Sequence, residues 1–121
     1  MTKKVLLIED EPHIVEALSF LLRRESWQVE IHNDGIGAVN KVSELTPDLV
    51  ILDVMLPNIG GMEILHDIRQ NQQTAQTPVL MLTAKGQQKD RKAAEDAGAS
   101  LFMTKPFSNQ EIVASIRELV S

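Results

Sequence analysis

Three runs of consecutive aliphatic residues constrain this chain more than anything else in it. They fall within Lys4 to Glu9 (KVLLIE), Asp48 to Asp53 (DLVILD) and Pro78 to Leu82 (PVLML). Each is too short for a helix and shows no polar alternation, so each reads as a strand covered on both faces. A strand of that kind needs helical layers above and below it, and the intervening sequence supplies them.

After Glu9-Asp10-Glu11, Pro12 stands at a helix start, and Ile14, Ala17, Leu18, Leu21 and Leu22 recur at helical spacing as far as Arg24. Gln28 to His32 (QVEIH) alternates, with Val29 and Ile31 on one face, which suits an edge strand covered on one side. Asn33-Asp34-Gly35 is turn chemistry. Ile36, Val39, Val42 and Leu45 predict the next helix, stopped by Pro47. Following the Pro57-Asn58-Ile59-Gly60-Gly61 loop, Met62, Leu65, Ile68 and Arg69 mark a third helix that fades into QNQQTAQT, read as a surface linker. Lys89 to Ala97 carries only Ala93, Ala94 and Ala97 as an apolar stripe, which predicts a loosely packed helix ended by Gly98. Leu101 to Met103 form a short last strand. Ser108 and Glu111 then make a capping box for a helix whose core face is Ile112, Ile116, Leu119 and Val120.

Five strands alternating with five helices predict an α/β fold, a doubly wound five-stranded parallel sheet with right-handed crossovers. The 121 residues make one domain, 1–121. The absence of cysteine removes disulfide and thiolate chemistry, no apolar stretch reaches the length of a membrane span, and the expected location is cytoplasmic. A net charge of −5 with no basic stripe argues against nucleic-acid binding by this domain, and the three Phe and single Trp offer no stacking platform.

The strand ends carry the chemistry. Glu9-Asp10, Asp53, Thr83 and Thr104-Lys105 sit at the carboxyl ends of four different strands, where such sheets bind ligands. For Asp53 alone, a solvated turn residue is the bland alternative. Three carboxylates brought together repel by about 3 kcal/mol per pair at about 5 Å in an effective dielectric of about 20, and one lysine cannot cancel that. Oxygen ligands without Cys or a His pair point to Mg²⁺, with Mn²⁺ as a substitute. Asp53 is the candidate oxygen nucleophile for phosphoryl transfer, with the cation and Lys105 neutralising the transferring oxygens and the Thr83 hydroxyl donating to one of them.

The whole chain resembles the CheY-like receiver domains of bacterial two-component response regulators. The match runs through IEDE at Ile8 to Glu11, DLVILDVMLP at Asp48 to Pro57, LMLTA at Leu80 to Ala84 and TKPF at Thr104 to Phe107. The resemblance implies the flavodoxin-like strand order 2-1-3-4-5, for which a chemotaxis receiver is a general example. It implies phosphorylation at Asp53; metal ligation by Glu9, Asp10, Asp53 and the Met55 carbonyl; phosphoryl binding by Thr83 and Lys105; a cis bond before Pro106; and a switch in which Thr83 moves and Phe102 turns inward, with Ala84 leaving room for the ring. The implied partners are a sensor histidine kinase or phosphotransfer protein and an output domain or target. The implied assembly is a monomer or a weak phosphorylation-dependent dimer. The chain would be no enzyme beyond its own phosphorylation and dephosphorylation, and Lys85 and Met55 would tune the phosphoryl lifetime.

Departures and rivals matter here. Gly60-Gly61 stands where many receivers have Asp-Gly, which costs the third helix its Asp cap, a few tenths of a kcal/mol. Gly98 to Phe102 (GASLF) lacks the acids of the GADDY pattern found in dimerising, DNA-binding members, which puts their interdomain salt bridges in doubt. An Asp-nucleophile phosphatase would want a second Asp at Met55, and a flavodoxin-like carrier would want a Ser/Thr/Gly-rich first loop instead of Glu9-Asp10-Glu11-Pro12. A phosphorylation-independent interaction module is the remaining alternative. His13, His32 and His66 read as solvated surface residues, and Trp27 as a packing residue at the end of the sheet away from the site.

Overall fold

A computed structural model describes residues 3–84, 88–105 and 107–120. Five strands, β1 (Lys4–Ile8), β2 (Gln28–His32), β3 (Leu49–Asp53), β4 (Val79–Ala84) and β5 (Leu101–Lys105), alternate with five helices, α1 (Pro12–Arg24), α2 (Ala38–Leu45), α3 (Gly61–Gln70), α4 (Gln88–Asp96) and α5 (Asn109–Val120). The sheet is parallel throughout, in the order β2-β1-β3-β4-β5. This is the flavodoxin-like order expected, with the alternating strand β2 at an edge.

The continuous apolar runs divide by residue parity between two cores. Leu6, Ile8, Val50, Leu52, Val79, Met81 and Phe102 join α2, α3 and α4 through Ala38, Val42, Ile64, Leu65, Ile68 and Ala94. Val5, Leu7, Leu49, Ile51, Leu80 and Leu82 join α1 and α5 on the opposite face, with Trp27 among them. A one-residue slip of any central strand would exchange its two faces, so the cores fix the register.

Local signals explain the helix ends. The Glu11 carboxylate accepts hydrogen bonds from the His13 and Ile14 amides at 3.2 and 3.1 Å, with Pro12 at the first helical position. The Ser108–Glu111 capping box forms as expected, with the Glu111 amide donating to Ser108 Oγ at 3.0 Å and the Ser108 amide to Glu111 Oε1 at 3.4 Å.

Four details differ from the sequence reading. Ile36 lies outside α2 and is 60 % exposed, because Gly37, at φ 78°, turns the chain before the helix begins. In α4 the fully buried stripe residue is Ala94, whereas Ala93 is exposed. Ile31 is 41 % exposed although Val29, on the same side of β2, packs against the core. The polar run after α3 is no mere linker: Thr74 is buried, and its hydroxyl donates to the Ile68 carbonyl at 2.7 Å, closing the end of that helix.

Candidate functional site

The carboxyl ends of β1 and β3 are neighbours in the sheet, so parallel pairing alone brings Glu9 and Asp10 beside Asp53. One carboxylate oxygen from each of the three lies within 4.8 Å of the others. Glu9 and Asp53 are buried, and Asp10 is exposed at the mouth of the site. The register of β5 on β4 carries Lys105 to the same edge, opposite Ala84. Its ammonium stands 2.9 Å from Glu9 Oε1 and donates a hydrogen bond to Asp53 Oδ2 at 3.2 Å.

Backbone amides hold the second oxygens of Glu9 and Asp53. Glu9 Oε2 accepts from the Asp10 and Glu11 amides at 3.0 and 3.2 Å, and Asp53 Oδ1 accepts from the Met55 amide at 3.1 Å. Glu9 Oε1 faces Lys105 at ion-pair distance but receives no hydrogen bond of good geometry. The electrostatic consequence is large. Burial, followed by the Asp53 carboxylate, pushes the Glu9 carboxyl up to about 7, only partly opposed by Lys105 and the Glu11 amide. Burial pulls the Lys105 ammonium down, but Glu9 and Asp53 outweigh it and hold the group above its ordinary value.

A site made of three converging carboxylates with an under-donated buried oxygen is short of positive charge. Its donors are all hard oxygens, which fits a divalent cation such as Mg²⁺. Thr83 adds a second incomplete interaction. It is buried on β4, one residue beyond the position paired with Asp53, and its hydroxyl has no hydrogen-bond partner among the described residues. An orphaned buried hydroxyl costs about 1–3 kcal/mol, which an acceptor arriving at the strand ends would relieve.

Of the residues singled out in the sequence, Glu9, Asp10, Asp53 and Lys105 therefore come together, and Thr83 stands on the adjoining strand. Met55 touches Asp53 through its amide while the residue is 73 % exposed. Phe102 is buried, paired in register with Met81 and packed into the core beneath α4. Thr104 is exposed and makes none of these contacts. Lys85 and Pro106 lie outside the described residues, as does the side chain of Ala84. Trp27 is a core residue before β2, away from the site, as expected. His32 is not simply solvated, since its Nε2 lies 2.7 Å from the Ile36 carbonyl oxygen.

Two features of the site were not read from the sequence. A Cβ on Gly61 would stand 2.1 Å from the Asp53 carbonyl oxygen, so this glycine lets α3 start against the Asp53 backbone. The adjacent glycines are visible in the sequence, but their spacing suggests a helix cap and not a close backbone approach. The β2–α2 turn also grips the loop after Asp53, through contacts between residues 24 apart in sequence that no local pattern announces.

Known proteins share this fold. The family model of the response regulator receiver domain matches residues 5–117. The transcriptional regulatory protein TrcR of Mycobacterium tuberculosis is 41 % identical over 117 residues, covering 97 % of this chain and 45 % of TrcR. The chain thus spans about half the length of that relative. The chemotaxis response regulator CheY4 of Vibrio cholerae superposes with a TM-score of 0.91 at 28 % identity, covering 98 % of this chain and 99 % of CheY4. The receiver domain of the sensor histidine kinase PA1611 of Pseudomonas aeruginosa, solved with a magnesium ion coordinated in its active-site cleft, gives a TM-score of 0.90 at 28 % identity and covers 99 % of this chain and 98 % of that one. The chain belongs to the response regulator receiver domain family, the phosphoacceptor signalling switches of two-component systems.

Proposed function

We propose that Asp53 is the phosphoacceptor, that Glu9, Asp10, Asp53 and the Met55 carbonyl hold Mg²⁺, and that Lys105 and Thr83 bind the phosphoryl oxygens. The observation that carries this reading is the triad of carboxylate oxygens within 4.8 Å, faced by the Lys105 ammonium. A divalent cation bound there supplies charge neutralisation for the transferring phosphoryl group.

The chain's own residues do the rest. An Asp53 carboxylate oxygen forms the new P–O bond as the P–N bond of a phosphohistidine breaks, and the departing imidazole takes its proton from water. A carboxylate oxygen attacks without a base having to remove a proton from it, so no general base is required. Lys105 follows the charge from the carboxylate to the phosphoryl oxygens. The Thr83 hydroxyl gains the acceptor it lacks, and its movement leaves space at the edge of the core where Phe102 is buried. Positioning and electrostatics suffice for a loose phosphoryl transition state.

Residues 1–121 act on this reading as one receiver domain in the cytoplasm. The donor is a histidine kinase or phosphotransfer protein, and the output is a further domain or a separate target reached through the face around Phe102 and α4. Among the described residues no helix is long and apolar enough to cross a membrane. Intact-mass measurement after incubation with acetyl phosphate and Mg²⁺ tests the reading. One added phosphoryl mass on the wild type and none on Asp53→Asn is expected, and equal labelling of both would overturn it.

A further inference from the structure

The loop that follows Asp53 is fastened at both ends. At its base the Gly61 amide donates to the Val54 carbonyl at 2.9 Å, and the missing side chain of Gly61 lets the two strands of the loop close. At its tip Asn58, at φ 69°, directs its side-chain amide onto both oxygens of Asp34, at 3.0 and 2.8 Å. Asp34 is itself fixed, because its Oδ1 also accepts from the Ile36 amide at 2.8 Å. The adjoining Gly35 amide donates to the Pro57 carbonyl at 3.2 Å, and a Cβ on Gly35 would lie 2.2 Å from the Ile59 carbonyl oxygen. The backbones of the two loops therefore meet at van der Waals distance, with a charge-assisted pair beside them.

We infer that the Asp34–Asn58 pair is a latch that positions the loop carrying Met55, and with it the metal site around Asp53. The inference rests on the phosphoacceptor reading and adds to it two positioning residues. Neither touches the carboxylate triad. Their effect passes along the short segment from Val54 to Ile59, whose Val54, Leu56 and Ile59 side chains pack only partly into the core. A loop with so little buried surface is ordered by its polar contacts, and releasing its tip lets the Met55 backbone sample orientations that do not face the cation. Partners bonded directly to a metal ligand typically change metal affinity about 10–100-fold when removed, so a pair acting through the intervening backbone belongs at the low end of that range.

Mn²⁺ binding, followed by loss of the free-ion electron paramagnetic resonance signal, tests the latch on the full chain. Asn58→Gly removes the amide without changing charge, and glycine suits the left-handed backbone at this position, so strain and field effects are both excluded. Asp34→Ala removes the other half. Exchange of the two residues, Asp34→Asn with Asn58→Asp, keeps both the charge and the pairing. Each single variant is expected to bind Mn²⁺ about tenfold more weakly and to need correspondingly more Mg²⁺ for half-maximal labelling at an unchanged limiting extent. The exchanged pair should return to within about twofold of the wild type on the same scale. Single variants with wild-type affinity, or an exchanged pair as weak as either single variant, would remove the latch and leave the phosphoacceptor site standing. A wild type that takes up no Mn²⁺ would overturn both readings together.

Discussion

The Lys105 ammonium, from the last strand, stands 2.9 Å from Glu9 and 3.2 Å from Asp53, so a single side chain bridges carboxylates at the carboxyl ends of the first and third strands. Lys105→Met would leave two buried acids facing each other. In metal-free buffer at pH 7 the expected loss is about 3 kcal/mol, the low end for breaking a buried pair, because Glu9 can take up a proton. Urea unfolding in chelator and in Mg²⁺ checks it: the cation should recover part of the loss, and a variant indifferent to Mg²⁺ would contradict the charge-deficit account of the site.

Adjacent glycines should respond with opposite signs. Gly61→Ala drives a methyl to 2.1 Å from the Asp53 carbonyl oxygen, backbone against backbone, and is expected to cost about 2–3 kcal/mol. Gly60 caps α3 with extended backbone and no side-chain hydrogen bond, and its nearest neighbour is 3.9 Å away. Gly60→Asp should therefore stabilise by a few tenths of a kcal/mol. Matched urea curves decide, and a destabilised Gly60→Asp would mean that the cap is not the missing element.

Trp27 offers a control. Its ring is buried among Leu18, Leu21, Leu22 and Ile116, and its amide donates to the Leu22 carbonyl at 3.0 Å, at the amino end of β2. The site lies at the carboxyl ends. Mg²⁺ titration should leave the Trp27 emission unchanged, and a saturable quench would show that binding rearranges the sheet from end to end.

The latch has an acid-side signature. The Ile36 amide and then the Asn58 amide hold the Asp34 carboxyl below its ordinary value. A depressed native pKa means that the unfolded chain binds the proton more readily, so this contribution is present above about pH 4 and is lost as pH falls through the native value. The stability difference between wild type and Asp34→Asn should be constant from about pH 5 upward and narrow as pH falls below the ordinary carboxyl value of about 4. A difference that widens in acid would show that Asp34 is stabilised in its protonated form.

Strand ends were legible because composition and topology agree there. A charge that follows an aliphatic run sits at the carboxyl end of its strand, and in a parallel sheet those ends share one edge, so Glu9, Asp53 and Lys105 come together from sequence and topology alone. Helix starts were less so. The spacing of Ile36, Val39 and Val42 suits a helix, but the positive φ of Gly37 cuts the first residue off, and nothing in the spacing encodes that angle. Ala93 and Ala94 are equal in hydropathy, and only the packing of α4 on the sheet separates them. Thr74 was hidden by its polar neighbours, although a Thr that satisfies the Ile68 carbonyl is what lets the chain leave α3 beneath the surface. Contacts between distant loops, such as Asp34 with Asn58, are a property of the closed sheet and of no segment within it.

Arg69 shows the same dependence on closure and gives the last prediction. One of the residues whose spacing marks α3, it ties three carbonyls together: Nε donates to Gly98 at 2.9 Å, and one terminal nitrogen donates to Ala75 at 3.1 Å and Thr77 at 2.7 Å. It thereby joins the end of α3 to the turn between α4 and β5. Its stem also packs against Gly98, whose missing Cβ would lie 3.1 Å from Nε and whose φ of 102° excludes most other residues. Arg69→Met keeps the stem and strands the carbonyls, with an expected cost of about 2–3 kcal/mol. Arg69→Lys should recover less than half of this, since a compact ammonium cannot span the three acceptors. Hydrogen exchange locates the effect: the Ser100 and Ala99 amides, bonded to Val79 and Ala94, should lose protection ahead of those in β1 and β3. Uniform loss across the sheet would mean that Arg69 contributes to global stability and does not anchor α4.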